Sequence, residues 1–106
     1  MAPQTLATEI TSRGFTYRQL ERHDDLAIYE QTRKTWPRGR ARYEVIIIRV
    51  QRAHTWPNGD ISPEQEVYPS SGSWGRLGWT TYTRQEAQEI LRNLQRKRAA
   101  VAEVQP

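Results

Sequence analysis

An α+β fold, with an antiparallel sheet of three to five strands and one C-terminal helix packed on a face, is what the sequence predicts. Three observations predict it. Short runs of aromatic and β-branched residues alternate with turn signals between positions 14 and 68. A capping sequence, Thr83-Arg84-Gln85-Glu86, precedes apolar residues at helical spacing. A length of 106 residues fits one domain with one core.

Residues 1–13 mix small and polar types without a sustained period. They read as a flexible arm, with at most one helical turn around Leu6 to Ile10. The domain proper is expected over 14–101, with a tail over 102–106. Phe15 to Leu20 and Leu26 to Thr32 read as two strands, and His23-Asp24-Asp25 between them is a turn signal. So short a link predicts an antiparallel hairpin. Thr35 to Arg40 is a loop broken by Pro37 and Gly39. Ala41 to Arg52 reads as one long strand, apolar on both faces and therefore interior to its sheet. Trp56-Pro57-Asn58-Gly59 is a turn, and Glu64 to Tyr68 returns as a short strand. Glu64 and Glu66 are expected to face water. Gly75 and Gly78 let the chain turn tightly while Trp74 and Trp79 pack on the sheet. A last extended segment leads into the helix, whose apolar face is Ala87, Ile90, Leu91, Leu94 and Val101.

Bulk composition narrows the function. Hydrophobic residues are 36% of the chain and charged residues 26%, a globular balance. The longest apolar run, Val45 to Ile48, is far short of the ~20 residues a spanning helix needs. With no cysteine and no apolar leader, a cytoplasmic location is the expectation. Formal net charge is +4, and fourteen of the sixteen basic residues are arginine. Guanidinium stacks on rings and grips phosphate with two parallel hydrogen bonds, so the partner is expected to be anionic.

Catalytic signatures are weak, and the chain is expected not to be an enzyme and to need no cofactor or metal. There is no thiol nucleophile. His23 and His54 have no partner at a metal-ligand spacing; the trio His23, Asp24 and Asp25 reads as a solvated turn. The glycines between Gly72 and Gly78 are not followed by the Lys-Ser/Thr of a phosphate loop. The sharper signal is Arg33, Lys34, Arg38, Arg40 and Arg42, five cations in ten residues without an acid and with Trp36 among them. Such a loop suits a phosphate backbone, with the indole stacked on a base or sugar. Arg92, Arg96, Lys97 and Arg98 form a second cluster, which reads as charge suited to the later turns of a helix.

Trp74-Gly75-Arg76-Leu77-Gly78 resembles the signature of the WGR domain, a sheet-plus-helix module of poly(ADP-ribose) polymerases and some bacterial proteins. That resemblance implies that Trp74 and Arg76 contact nucleic acid. The chain departs from the family in running from Trp79 almost directly to the helix cap, without a further strand. The plan of Tyr68-Pro69-Ser70-Ser71 followed by Gly78-Trp79-Thr80 is also similar to small proteins of phages and other mobile elements, among them anti-CRISPR inhibitors. Two functions are therefore expected. The first is a nucleic-acid-binding module using Arg33, Lys34, Trp36, Arg38, Arg40 and Arg42, with Trp74 and Arg76. The alternative is a mobile-element protein that binds and inhibits a host protein complex, with Trp36, Trp56 and the arginines as interface anchors.

Overall fold

The structure is a computed structural model that describes residues 2–104. Its centre is a five-stranded antiparallel sheet built from β1 (Glu9–Ser12), β2 (Phe15–His23), β3 (Leu26–Arg33), β4 (Arg42–Ile47) and a later strand, Gly78–Thr81. Between β4 and that last strand, β5 (Arg49–Gln51), β6 (His54–Thr55), β7 (Ile61–Ser62) and β8 (Gln65–Val67) form two small two-stranded ribbons. The last strand is β9, and the helix α1 spans Arg84–Val104. The order across the large sheet is β1-β2-β3-β4-β9.

The β2–β3 hairpin forms as its pattern predicts. Asp24 takes a positive φ of 56° in the tight turn, a conformation Asp tolerates. β4 lies inside the sheet between β3 and β9, in keeping with its two apolar faces. Side chains alternate across a strand, so each strand feeds two cores. Leu26, Ile28 and Val45 pack on Ala87 and Leu91 of α1, with Leu20, Tyr43, Trp79, Ile90 and Leu94 around them. On the opposite face Ala27, Tyr29, Ile46 and Ile48 pack under Leu6, Ile10, Tyr17, Tyr68 and Trp74.

The helix starts at the predicted cap. The Glu86 N–H donates to the Thr83 hydroxyl at 3.1 Å. The Glu86 carboxylate does not reach back to the cap backbone, as a full capping box requires; it accepts the Thr83 hydroxyl proton at 2.9 Å.

Four expectations need correction. Residues 9–12, read as part of a flexible arm, form edge strand β1, paired with β2 from Glu9↔Arg18 to Ser12↔Phe15. Their polar composition hides a strand held by its ladder with β2 and by the single half-buried side chain of Ile10. The tail expected over 102–106 begins later, since α1 continues through Val104; residues 105–106 lie outside the described residues. The single strand expected over 41–52 breaks at Ile48, whose N–H donates to the Asp25 carbonyl at 2.7 Å and whose side chain is buried; β5 then pairs with β8 instead of β3.

Glu66 is the fourth. It does not face water: both its oxygens accept from Arg22 of β2, at 2.7 and 2.6 Å, and Oε1 also accepts the Leu6 N–H at 2.8 Å. These bonds, with the Arg22 guanidinium foremost, lower its pKa to about 2. The folded state therefore holds this proton less tightly than the unfolded chain. The resulting stability is present above about pH 4.5 and is lost as pH falls towards about 2. We expect wild type to lose about 2 kcal/mol more than Glu66→Gln over that window in urea unfolding measured across pH. Parallel pH curves for the two proteins count against the pair.

Candidate nucleic-acid interface

The antiparallel order brings distant segments to one end of the sheet. β1 ends there at Ser12, β2 begins at Phe15, β3 ends at Arg33, β4 begins at Arg42, and β9 ends at Thr81. The 33–42 loop therefore emerges beside Arg13, Tyr82 and Arg84, the first residue of α1. Trp36 N–H donates to the Arg33 carbonyl and Arg40 N–H to the Pro37 carbonyl, each at 3.0 Å, so the loop is two successive turns. Gly39, at φ 84°, supplies the left-handed residue of the second turn.

Arg33, Lys34, Arg38, Arg40 and Arg42 are all exposed. Among the described residues none of them forms an ion pair; the carboxylates that do pair hold Arg18, Arg22, His23 and Arg98. Two of the loop cations rest on rings instead. The Arg33 guanidinium lies 4.7 Å from the Phe15 centroid, and that of Arg42 lies 4.9 Å from Trp36 and 5.7 Å from Tyr82. Such stacking leaves the N–H edge of the guanidinium free for phosphate while restricting the side chain. Trp36 meets Phe15 edge-on at 5.7 Å and is half-buried, so it is part of the platform rather than a free anchor.

From this end a file of rings runs across the sheet face opposite α1. Phe15 lies 6.3 Å from Tyr17, Tyr17 lies 5.6 Å from Tyr68, and Tyr68 lies 5.2 Å from Tyr29. Midway along it a pocket of about 400 Å³ opens between Ile10, Tyr17, Tyr68, Pro69 and Trp74, with Glu44 among its lining residues. Glu44 is only 8% exposed. Its Oε1 accepts the Tyr68 hydroxyl at 2.6 Å, and Oε2 has a longer contact, 3.4 Å, with the Thr80 hydroxyl. Burial raises the Glu44 pKa, against the pull of these two hydroxyls. Tyr68 is shifted upward as well, by burial first and by the Glu44 charge second.

Trp74 and Arg76 do not join the 33–42 cluster. The Trp74 indole packs so close to Gly78 that a Cβ there would meet the ring at 2.5 Å, and its Nε1–H donates to the Thr80 hydroxyl at 2.9 Å. Gly78 thus serves close ring-on-backbone packing, while Gly75, at φ 88°, makes the turn. Trp74 is a wall of the pocket. Arg76 is exposed at the other end of the sheet, where Leu77 accepts the Ile47 N–H at 2.8 Å. The five steps of β4 from Arg42 to Ile47 separate the two ends by about 17 Å.

The second basic cluster is partly engaged. Arg98 grips Asp25 with both terminal nitrogens, which lowers the Asp25 pKa, and Arg96 bonds Asn93. With Asp25 so held, His23, Asp24 and Asp25 do not converge. Among the described residues no three His, Asp or Glu side chains are grouped to hold a metal, and no helix is long and apolar enough to cross a membrane.

Phe15, Tyr17, Glu44, Tyr68 and Tyr82 are the site residues that sequence reasoning missed. The available signal was parity: Tyr17 and Glu44 each fall on the face that their strand neighbours Gln19 and Ile46 occupy. Strand pairing was needed to bring those positions side by side. Set against family models, curated proteins and solved structures, the chain gives no match in any of the three comparisons.

Proposed function

We propose that the chain is a non-catalytic module that binds single-stranded nucleic acid along the sheet face opposite α1. One observation carries the reading: five exposed cations without carboxylate partners among the described residues, set beside Phe15, Trp36 and Tyr82 at one end of that face. Phosphates lie on the arginine edges, and bases stack on the partly exposed rings of Phe15, Tyr17 and Tyr68. Phosphate contacts of this kind set affinity and register, with little sequence information.

Five phosphate contacts on a single strand correspond to a slope of about −3.5 in log K against log salt. Raising salt from about 50 to about 200 mM is then expected to weaken binding of a ten-residue oligothymidylate about a hundredfold, read by fluorescence anisotropy. Affinity that is flat in salt, or no binding at the lower salt, rejects the reading.

A second reading, a mobile-element protein that inhibits a host protein complex, is favoured by the ribbon arm. Val50, Trp56 and Ile61 are 48%, 49% and 71% exposed there. Exposed aromatic and aliphatic side chains together suit a protein interface. A host complex that stays bound after nuclease treatment, and is released by Trp56→Ala with Ile61→Ser, separates this reading from the first.

A further inference from the structure

Glu44 is a buried carboxylate without a cation. Among the described residues no basic side chain pairs with it, and its pocket is lined by Ile10, Tyr17, Tyr68, Pro69 and Trp74 together with two serines, Ser12 and Ser71. An ionised carboxylate in such a place is expensive unless its lone pairs are filled. A carboxylate has about four lone-pair sites, and the Tyr68 and Thr80 hydroxyls occupy at most two. The remaining acceptor capacity lies in a pocket walled in part by the rings of Tyr17, Tyr68 and Trp74, of which Tyr17 and Tyr68 are tilted by 54° to one another. A planar ligand with two adjacent N–H donors matches both features.

We propose that this pocket takes one nucleobase of a bound strand, and that guanine is the base it prefers. On its Watson–Crick edge guanine presents N1–H and an N2 amino hydrogen side by side, a fork that the Glu44 carboxylate accepts. Adenine and cytosine set an acceptor ring nitrogen beside their amino group, which meets the carboxylate as a repulsion. Thymine and uracil have a single N–H flanked by carbonyls. An arginine side chain from a protein has the same donor fork as guanine. The pocket nevertheless joins, through Phe15 and Tyr17, a rim carrying Arg33 and Arg42. That rim disfavours a cationic ligand and favours a neutral base attached to an anionic backbone. The inference rests on the proposed single-strand reading for its setting, and its chemistry is testable apart from it.

The test has two arms. In the first, the Trp74 indole N–H is followed by NMR while neutral guanosine, inosine or N-acetyl-arginine methylamide is added to wild type and to Glu44→Gln. Guanosine is expected to shift the signal, inosine, which lacks the N2 amino group, to bind about tenfold more weakly, and Glu44→Gln to remove the difference. In the second, anisotropy compares oligothymidylate with the same oligomer carrying one central guanine. The guanine-bearing strand is expected to bind wild type about tenfold tighter, and the ratio to fall near one in Glu44→Gln. Equal response to guanosine and inosine, a preference that survives Glu44→Gln, or stronger binding of the arginine analogue overturns the inference, the last in favour of a protein's guanidinium. If guanosine shifts Trp74 in a Glu44-dependent way and neither oligomer binds, the pocket stands as a nucleobase site and the single-strand reading falls. Gln keeps the shape of the side chain and an acceptor for Tyr68, so a melting curve close to wild type establishes that the variant is folded.

Discussion

Replacing Arg33, Arg38, Arg40 and Arg42 with alanine is expected to reduce oligothymidylate affinity by at least a hundredfold at about 50 mM salt and to flatten the salt dependence. Each guanidinium removed takes about 0.7 from the steepness of the slope, so a value near −3.5 shrinks to about −0.7. The four substitutions change formal net charge from +4 to 0, which alone weakens any anion binding. A matched variant separates place from total charge. Replacing Arg52, Arg92, Arg96 and Lys97 also brings the chain to 0. Those residues lie on the ribbon arm and along the helix, away from the ring-bearing end. The matched variant is expected to keep most of the slope. Equal losses in the two variants show that binding is a diffuse effect of charge and that the 33–42 rim is not the site. The rim variant should still fold, since stacking of Arg33 and Arg42 on rings contributes only about 0.5–1 kcal/mol each at exposed positions.

Tyr29→Ala is expected to have the largest effect on folding. The ring is fully buried on central strand β3, against Ile46 and Ile48, and meets Tyr68 edge-on at 5.2 Å. Its hydroxyl donates to the Ala7 carbonyl at 2.7 Å and accepts from Gln19 Nε2 at 3.0 Å, tying the N-terminal segment to the sheet. Removing an aromatic ring from a core costs about 3–5 kcal/mol, against a total of about 5–15 kcal/mol for a domain. Tyr29→Phe keeps the ring and loses only the hydroxyl and its two part-buried hydrogen bonds, a cost of about 0.5–1.5 kcal/mol. Urea unfolding of the three proteins gives the ordering directly. A loss under about 1 kcal/mol in Tyr29→Ala means that the second core does not hold the fold. Because the same ring supports Tyr68, the alanine variant is also expected to disturb the Glu44 pocket, whereas Tyr29→Phe is not.

Local chemistry determined much of this protein. Alternation and turn residues specified the β2–β3 hairpin, the interior position of β4 and the return of β8. Thr83 specified where the helix begins. The acid-free run from Arg33 to Arg42 identified itself by charge alone. All of these depend on residues within a few positions of one another, and short-range preferences reach that far. Pairing decided the rest. Residues 9–12 carry little apolar signal, and they are a strand because β2 offers them an edge. Glu66 lies on an alternating segment that would face water by itself, and only the approach of Arg22 and Leu6 encloses it. Arg76, two residues before Gly78 in the same motif, lies at the far end of β4 from Arg42 because antiparallel order starts β9 there, while the Trp74 ring reaches Thr80 and walls the pocket. Glu44 stands among aromatic rings for the same reason. Strands β1, β2 and β4 and the 68–74 segment each contribute part of that pocket, and none of them records in its own sequence which neighbours it will meet.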